Sequence, residues 1–493
     1  MPMNPEFPNI STYQALESLV KEFPQAQVFL VGGAVRDILL GEKVTDIDML
    51  VRNVEADDLE EFLANHGRVV FAGKRFGIWK FNEIAKPENE ICDIALPRTE
   101  FSMHKQGIYQ DFDIKTDPKL DIEKDLERRD FTINAMAYNL VDEKLIDTHN
   151  GQKDLKDKII RTVGSPRERF QEDYSRMLRA LRFSLQLDSK IEKETLATIK
   201  KMIPNINNEI DSKRVLANEI VSEELLKSLA INPSATLDLW DKTGALEAAI
   251  PELLEMKGCV QPENWHTEGD VWDHTRLALE KLSSNEFKKE FNDEPIELEL
   301  VMAALFHDIG KPYTLKTPEK DGVDRIRYDD HDEVGATMAK QILERLRASA
   351  PSEVGININH VVWMVQHHML LVHGDPDIMR PNTIEKYFFS SKYPSRNFLK
   401  LLYLDSLATI GPDGKSFTEK YEQICNRIDA IKKKTQSHGT KLVKPLITGE
   451  HVMDLLNLKP GKKVGKVLEE VRSKQLSGKL ASKDQALEYL KQL

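Results

Sequence analysis

The first 160 residues alternate short apolar runs with turns that contain glycine. The runs that have the length and the β-branched or aromatic content of strands are VFLVGG, DIDMLV, RVVFAG, GIWKFNEI and ENEICDIAL. The segment AVRDILLG, which follows the first of them, predicts a helix that ends at Gly41. These elements together predict a mixed α/β sheet.

From about Glu168 onward, apolar residues recur at every third or fourth position, which predicts helices. Residues 264–409 contain several histidines within this helical pattern. A basic segment from about Leu442 predicts a small helical module with a Pro-Gly turn. We therefore expect an α+β fold in which the sheet precedes the helices.

The composition of the chain, 40% hydrophobic and 30% charged over 493 residues, is ordinary for a soluble protein. No apolar run reaches the roughly 18–20 residues that span a bilayer. The first residues, MPMNPEFPNIST, lack the pattern of a signal peptide. The three cysteines are far apart and form neither a zinc-type spacing nor a disulfide framework. We expect a cytoplasmic protein.

The net charge of −12 weighs against a nucleic-acid partner, because phosphate binding needs positive surface. The charge is uneven, however. Lysines cluster between Lys432 and Lys479, and arginines between Arg161 and Arg182. Local patches decide binding, so the net charge is weak evidence in either direction.

Two glycines, Gly32 and Gly33, separate the first predicted strand from the helix. Glycine lets backbone N–H groups approach a phosphate, and the N-terminus of a helix favours an anion. Arg36 lies in the first turns of the helix and can reach the same phosphate. A plain strand-to-helix turn is the alternative, because a Gly-Gly pair alone is a weak signal.

A pair of acidic residues, Asp46 and Asp48, follows this helix within a strand-like run. Alternation along a strand places both carboxylates on one face, where they repel each other unless a cation lies between them. Two-metal phosphoryl transfer needs such a pair to hold Mg²⁺. A third carboxylate is expected on a neighbouring strand, and Asp93 is slightly favoured over Glu100. A solvated strand edge is the alternative.

The order of these motifs resembles the head of the class II tRNA nucleotidyltransferase and poly(A) polymerase family, which includes the CCA-adding enzymes. The matching segments are GGAVRDILLG and DIDML. Later family segments follow in order: RRDFTINAMA is similar to the ribose-sensing segment, IDT and NGQKDL to the hinge, and EDYSRMLRALRF to the base-reading helix. The resemblance covers roughly the first 185 residues. It implies a polymerase beta-like head that uses Mg²⁺, CTP and ATP and acts on the 3′ end of tRNA.

The resemblance assigns roles to individual side chains. Asp130 and Asn134, four apart on what we expect to be one helix face, would bond the ribose hydroxyls. Arg129 would hold the triphosphate. The base-reading pair would read the edge of C or A without a template, and two further arginines of the same helix would contact phosphates: Asp173 and Arg176, then Arg179 and Arg182. The alternatives are a capping aspartate with a core asparagine, and a salt-bridged amphipathic helix.

The branch of the family is predicted from two segments. Gly73–Gly77 (GKRFG) looks more like tRNA-type enzymes than like poly(A) polymerases. The loop between Glu100 and Arg128 is intact and polar, whereas CC-adding branches tend to lack part of it. We therefore expect full CCA addition, with poly(A) or A-only addition as the alternative.

The histidines lie in VWDHTRLAL, AALFHDIGK, DDHDEVGA and MVQHHM, and an aspartate follows in LLYLDSLAT. This order resembles the HD phosphohydrolase domain. The resemblance implies a divalent metal, of undetermined identity, held by a set of four residues: His274, His307, Asp308 and Asp405. His331 and either His367 or His368 could complete a two-metal site. The implied activity is that of a phosphatase or a 2′,3′-cyclic phosphodiesterase, and a purely structural domain is the alternative.

The expected division of the chain is a nucleotidyltransferase head at 1–160, a helical nucleotide- and RNA-binding neck at 161–262, an HD domain at 263–425 and a basic helical tail at 426–493. We expect the tail to contact tRNA, or else to be a solvated lysine face. Two other classes of protein remain open: an HD phosphohydrolase whose first domain only binds RNA or nucleotide, and a non-catalytic RNA-binding module. The paired Asp46 and Asp48 count against the first, and the intact histidine set against the second.

Overall fold

The computed structural model describes residues 6–44, 46–73, 77–83, 91–102, 107, 112–434 and 442–493. The chain forms two compact units. The first comprises residues 1–231 and 238–249, and the second comprises residues 232–237 and 250–493. Residues 74–76, on which the choice of family branch partly rests, lie outside the described ranges, as do 103–106 and 108–111 of the polar loop.

A seven-stranded mixed sheet forms the centre of the first unit. In spatial order its strands are Gly67–Gly73, Ile78–Glu83, Cys92–Ala95, Ile47–Arg52, Gln27–Val31, Ala137–Asn139 and Lys144–Ile146. The strand Ile47–Arg52 pairs in parallel with Cys92–Ala95, and the other neighbours are antiparallel. This confirms the mixed sheet predicted from the sequence. The last two strands were not predicted, since three-residue strands leave almost no periodic signal.

The strand Gln27–Val31 lies inside the sheet and is buried from Val28 onward. The helix Gly33–Leu40 follows after a single residue and ends, as predicted, at Gly41. Gly41 adopts a left-handed conformation with φ 78°, which glycine tolerates without steric cost, and its N–H bonds the carbonyls of Asp37 and Ile38. The tight connection fixes the turn at Gly32 against the edge of the strand.

The remaining elements of the first unit surround this sheet. Its helices are Gln14–Glu22, Gly33–Leu40, Ala56–His66, Ile122–Glu127, Gly151–Lys156, Pro166–Glu172, Ser175–Gln186, Lys193–Met202, Asn218–Ile231 and Ala245–Ala249, with 3-10 turns at Ile10–Thr12, Thr132–Asn134 and Ile203–Asn207. The two-stranded ladders are Arg98–Ser102 with Phe112–Thr116, Ile159–Ile160 with Lys190–Ile191, and Glu209–Ile210 with Lys213–Arg214. The helix Pro233–Thr243 spans the division between the two units.

The second unit is almost entirely helical. Its helices are Val271–Lys281, Asn285–Glu290, Leu298–Phe306, Lys311–Thr314, Pro318–Asp321, His331–Arg345, Ile358–His367, Leu370–His373, Pro381–Phe388, Ser395–Ala408, Glu419–Lys434, Gly449–Leu456, Lys462–Leu476 and Lys483–Lys491, after a 3-10 turn at Pro251–Met256. The strands Leu315–Lys316 and Arg327–Tyr328 form a short ladder. The helix Leu298–Phe306 is apolar on almost every side and buried from Leu300 to Phe306, as expected of a central helix.

The last three helices share a small core of their own, in which Val452, Val464 and Leu490 are buried. The Pro-Gly turn precedes the helix Lys462–Leu476. The helix Glu419–Lys434 runs through residue 425, where we expected a domain boundary. Within the residues that the structure describes, no helix is long and apolar enough to cross a membrane.

Candidate nucleotide site and candidate metal centre

Two of the predicted carboxylates face each other on neighbouring strands of the sheet. Asp48 and Asp93 are directly paired in the parallel ladder, so their side chains project from the same face. Asp46 lies one residue before the strand begins. Desolvation by the surrounding protein raises the pKa of Asp48 above its ordinary value; Arg129 opposes the shift, and the negative charges of Asp93 and Asp46 add to it. The arrangement favours a cation beside Asp48.

Glu100, the other candidate for the third carboxylate, belongs to the strand Arg98–Ser102, but its side chain lies outside what the structure describes. Asp93 is the candidate whose pairing with Asp48 is observed. Lys80 Nζ lies 3.6 Å from Asp93 Oδ1, which offsets part of the local negative charge.

The glycine turn, an arginine and the carboxylates converge. Gly32 has φ 69°, and a Cβ atom added there would lie 2.7 Å from Arg129 Nη1 and 3.8 Å from Asp48 Oδ2. Glycine is therefore required at this position by both backbone conformation and space. The Gly32 N–H itself donates to the Met136 carbonyl at 3.3 Å. A phosphate at this turn would therefore be held by Arg129 and by backbone N–H groups of the turn other than that of Gly32.

The predicted ribose-contacting pair is close together, but not on a helix face. The expectation of a shared helix is wrong: Asn134 ends the 3-10 turn Thr132–Asn134, and Asp130 precedes it. Asp130 Oδ1 accepts the Phe131 N–H at 2.8 Å, and the chain enters the next strand three residues after Asn134, which leaves no room for an α-helix. Asn134 Nδ2 nevertheless donates to Asp130 Oδ1 at 3.2 Å.

The same pair is held by two arginines. Arg36 Nη1 donates to Asn134 Oδ1 at 2.9 Å, and the Arg179 guanidinium forms two bonds, of 2.9 and 2.7 Å, to Asp130 Oδ2. Burial alone would raise the pKa of Asp130, but the neighbouring Arg179 lowers it below its ordinary value, so the carboxylate stays charged. A ribose hydroxyl that reaches Asp130 would share it with Arg179.

The predicted base-reading residues lie where two helices meet. Asp173 caps the end of Pro166–Glu172 and accepts the Ser175 N–H at 2.8 Å, so it precedes the helix Ser175–Gln186 on which we expected it. Arg176 lies in that helix and donates to Glu172 Oε2 at 2.6 Å. Both side chains are nearly buried, and the positive charge of Arg176 opposes the desolvation that raises the pKa of Asp173.

No role was predicted for Phe183, the last residue of EDYSRMLRALRF, yet three arginines of this site lie around its ring. The guanidinium carbons of Arg36, Arg179 and Arg182 lie 5.4, 5.2 and 4.4 Å from the centre of its ring. The negative face of an aromatic ring attracts cations and reduces the repulsion between them. Arg182 also donates to Glu224 at 2.7 Å, so a predicted phosphate contact is already paired with a carboxylate.

In the second unit, the four predicted histidine and aspartate ligands converge. His274 Nε2 lies 3.2 Å from His307 Nε2 and 3.2 Å from Asp405 Oδ1. His307 Nε2 lies 3.3 Å from Asp308 Oδ2. Separations of about 3.0–3.5 Å are those of ligand atoms that share one ion at bonds of about 2.1 Å.

A second group shares Asp308. His331 Nε2 lies 3.2 Å from His368 Nε2, and these atoms lie 3.5 and 3.6 Å from Asp308 Oδ1. The two oxygens of Asp308 thus face different histidine pairs, as a bridging carboxylate does in a two-metal site. His368 completes this group, whereas His367 packs against Trp363 with ring centroids 4.9 Å apart.

In three of these histidines the ring nitrogen that points away from the centre, Nδ1, is hydrogen-bonded to the backbone, which leaves Nε2 to face the centre. The Nδ1 atoms of His307, His331 and His368 lie 2.8, 2.7 and 2.6 Å from backbone carbonyls. A carbonyl only accepts, so each Nδ1 carries a hydrogen and Nε2 is left as the atom of each ring that can bind a metal. The converging Nε2 atoms and carboxylate oxygens fit a metal with mixed nitrogen and oxygen ligands.

The sequence reasoning missed Glu268, which performs the same function for His274. Glu268 Oε1 accepts from His274 Nδ1 at 2.8 Å and from His266 Nδ1 at 2.7 Å, and Oε2 accepts the Ile410 N–H at 3.0 Å. Burial favours the neutral carboxyl, but the two histidines lower the pKa of Glu268 to about 2. The only available sequence signal was the acidic residue six positions before His274.

Replacing Glu268 with glutamine is therefore expected to weaken metal binding by about 10- to 100-fold, the usual effect of losing a partner of a ligating histidine. Competition with a chromophoric chelator measures the affinity. Glu263→Gln, at an exposed neighbour, is the matched control and is expected to retain the original affinity. Equal affinities in both variants would show that Glu268 does not orient His274.

Comparison with known families gives three matches along the chain. Residues 28–161 match the poly(A) polymerase head domain, 271–403 the HD domain, and 416–490 domain 2 of tRNA nucleotidyltransferase. The multifunctional CCA protein of Neisseria gonorrhoeae is 36% identical over 324 residues, which cover 65% of this chain and 70% of that protein. The corresponding protein of Chromobacterium violaceum is 34% identical over 359 residues, 73% of this chain and 77% of that one.

Solved structures resemble the whole chain. A CCA-adding enzyme in an apo form aligns with a TM-score of 0.63 at 21% identity and covers 99% of this chain and 96% of its own. The Thermotoga maritima CCA-adding enzyme complexed with tRNA aligns with a TM-score of 0.59 at 22% identity, with coverages of 99% and 96%. At these identities the likeness establishes the fold.

Proposed function

Because the chain belongs to the family of multifunctional CCA proteins, we propose that it adds CCA to the 3′ end of tRNA, using CTP and ATP without a nucleic-acid template. The observation that carries this proposal is the pairing of Asp48 with Asp93 beside the Gly32 turn and Arg129. A domain that only bound nucleotide would have no need for carboxylates that face each other across two strands.

The reaction is attack by the tRNA 3′ hydroxyl on the α-phosphorus of the nucleotide, which forms one P–O bond and breaks another to release pyrophosphate. Asp46, Asp48 and Asp93 would hold Mg²⁺, since their donors are all carboxylate oxygens. Bound Mg²⁺ lowers the pKa of the attacking hydroxyl and stabilises charge on the leaving group. Arg129, next to the Gly32 turn, neutralises the triphosphate.

Selection of the base rests on Asp173 and Arg176, whose acceptors and donors replace those of a template base. Glu172 and Ser175 orient them, and nearly complete burial excludes water that would satisfy a wrong base equally well. Asp130 and Asn134 contact the ribose, with Arg179 fixing the carboxylate.

The tRNA body binds the tail. Exposed lysines stand at the start of the helix Lys462–Leu476, within the run KPGKKVGK, which contains no acidic residue. The positive helix N-terminus adds to their charge. Such a surface suits a phosphate backbone even though the net charge of the chain is negative.

In the test, the protein is incubated with Mg²⁺, with CTP and ATP, and with tRNA from which the last three nucleotides are missing. Each of the two nucleotides is labelled in turn. We expect incorporation of two C and one A, followed by arrest. Long A tails would instead assign the chain to the poly(A) branch, and A alone to the A-adding branch. If the wild-type protein incorporated no nucleotide, the proposal would be wrong.

A second activity, hydrolysis of phosphoesters, is proposed for the histidine–aspartate centre because the Nε2 atoms of four histidines converge on the carboxylates of Asp308 and Asp405. Water attacks phosphorus, one P–O ester bond breaks, and the leaving oxygen takes a proton. His274, His307, Asp308 and Asp405 would hold one divalent metal, and Asp308, His331 and His368 a second. Bound metal supplies a nucleophile at neutral pH and polarises the phosphate. We expect the protein to hydrolyse 2′,3′-cyclic nucleotides, and we expect a metal chelator to abolish this hydrolysis.

A further inference from the structure

An exposed pair of aromatic side chains lies beside the histidine–aspartate centre. Trp265 is 52% exposed and Phe417 is 38% exposed, and their ring centroids are 5.1 Å apart. The other four tryptophans of the chain are buried: Trp79, Trp240, Trp272 and Trp363. Two large rings in contact with each other and with solvent form a surface on which a flat group can stack.

Trp265 is joined to the centre by a short, well-anchored segment. The next residue, His266, shares the carboxylate of Glu268 with His274, and the rings of the two histidines are 5.2 Å apart. The Trp265 N–H bonds the Pro262 carbonyl at 3.0 Å, which closes a turn around the aromatic residue. Trp265 is therefore held next to a residue that shares a carboxylate with the predicted metal ligand His274.

Phe417 is anchored to the helix that carries another predicted ligand of the centre. Its N–H donates to the carbonyls of Ser406 and Thr409, at the end of the helix that carries Asp405. A Cβ atom at Gly411 would lie 2.9 Å from the Phe417 ring, so the backbone there packs directly against it. The two aromatic segments are linked by the Thr267 N–H, which bonds the Ile410 carbonyl at 2.9 Å.

The most exposed of the predicted ligands, Asp405, belongs to the helix whose end is bonded to Phe417. The Asp405 side chain is 20% exposed, whereas those of the other ligands are at most 5% exposed. A phosphoester must therefore approach past Asp405, next to the residues that anchor Phe417. A phosphate at the centre would leave the rest of its nucleotide near the two rings.

We propose that Trp265 and Phe417 bind the base of the nucleotide whose phosphate is hydrolysed at this centre. The proposal rests on the phosphohydrolase activity proposed above and assigns the side chains that hold the base of its nucleotide substrate. Every base has a flat face, so stacking accepts any of them, and purines, with the larger face, bind more strongly. A free nucleotide and the terminal nucleotide of an RNA present the same chemistry.

The first test compares hydrolysis of adenosine 2′,3′-cyclic phosphate with that of 1-O-methylribose 2′,3′-cyclic phosphate, which lacks the base. In Trp265→Ala, KM for the adenosine substrate is expected to rise roughly tenfold, as when one base–aromatic contact is lost, while the base-free substrate is unaffected. Trp265→Phe restores most of the binding. Tyr313→Ala, at an aromatic residue 53% exposed in the same unit, is the matched control and leaves both substrates unchanged.

The second test does not depend on turnover. Trp265 is the accessible tryptophan, so adenosine 2′-phosphate is expected to quench its fluorescence in metal-depleted protein, and inorganic phosphate is not. Phe417→Ala weakens this quenching. A parallel hydrolysis measurement with an oligoribonucleotide that ends in a 2′,3′-cyclic phosphate distinguishes the two sources, since a larger effect of Trp265→Ala on KM there than with the free nucleotide assigns the pair to an RNA end.

The two proposals fail in different ways. If the wild-type protein hydrolysed neither cyclic phosphate, the phosphohydrolase proposal would be wrong, whatever the fluorescence. If hydrolysis proceeded but Trp265→Ala changed both substrates equally, or if adenosine 2′-phosphate quenched no more than inorganic phosphate, the base-binding role would be excluded.

Discussion

Replacing Asp48 with alanine is expected to abolish nucleotide addition, with a loss of about 1,000-fold or more in kcat/KM. Asp48 faces Asp93 across the parallel ladder and lies beside the Gly32 turn, so alanine at 48 removes a central carboxylate of the proposed Mg²⁺ site. The measurement is incorporation of labelled CTP into tRNA that lacks its last three nucleotides. A 1,000-fold loss corresponds to about 4 kcal/mol of transition-state stabilisation.

The matched control for this variant is Asp121→Ala. The Asp121 carboxylate is 76% exposed and pairs with Arg52 at 2.8 Å, an exposed contact whose loss costs little. Hydrolysis at the histidine–aspartate centre is expected to stay at its wild-type rate in Asp48→Ala. The two-site organisation would be contradicted if both activities fell together in a variant that remained folded. The metal role of Asp48 would be contradicted if nucleotide addition stayed within tenfold of wild type.

The sequence predicted the local elements of the head well, because each has its own periodic pattern and turn. The helix Gly33–Leu40 ends at the predicted glycine, and the strand that carries Asp48 begins one residue after Asp46. The neighbour of that strand could not be predicted with the same certainty. Strand pairing is a long-range property, and only the observed register places Asp93, rather than a nearby residue, opposite Asp48.

The histidine centre shows where residue patterns stop being informative. Consecutive residues of a helix point about 100° apart, so only one of His367 and His368 can face the centre. The sequence does not show which of the two it is. His368, which caps the helix Ile358–His367, lies 3.6 Å from Asp308, whereas His367 packs against Trp363, so the structure favours His368. Glu268 was not predicted, since an acidic residue six positions before a histidine is a weak signal and its contact with Ile410 spans 142 positions.

The arginine network of the nucleotide site was predicted as a list of residues but not as a set of partners. Asp130 appeared as a ribose contact, and Arg179 as a phosphate contact, yet the two form a bidentate pair. A nearly buried carboxylate needs such a partner, because an unpaired charge would be expensive to desolvate. Sequence spacing alone does not show which charges neutralise each other before a ligand arrives.

Asp308→Ala is expected to abolish phosphoester hydrolysis, again by about 1,000-fold or more, and to reduce the bound metal from two ions per chain to fewer than one. Its two carboxylate oxygens face different histidine pairs, so both proposed metal sites lose a ligand at once. Plasma mass spectrometry after dialysis measures the metal content. Nucleotide addition to tRNA is expected to be unchanged, because Asp308 belongs to the second unit.

The variant also removes the partner of a buried cation. Lys311 Nζ lies 2.6 Å from Asp308 Oδ2 and donates to Gln261 at 2.8 Å, so alanine at 308 leaves an ammonium that is almost inaccessible to solvent. Breaking such a pair costs about 3–5 kcal/mol, so thermal unfolding must be measured together with activity.

Asp308→Asn keeps the volume and one acceptor and distinguishes loss of metal from loss of folding. Glu333→Ala, at an exposed residue of the helix that carries His331, is the control. Retention of two ions by a folded Asp308→Asn protein would exclude the bridging role, because a neutral amide cannot hold two cations together.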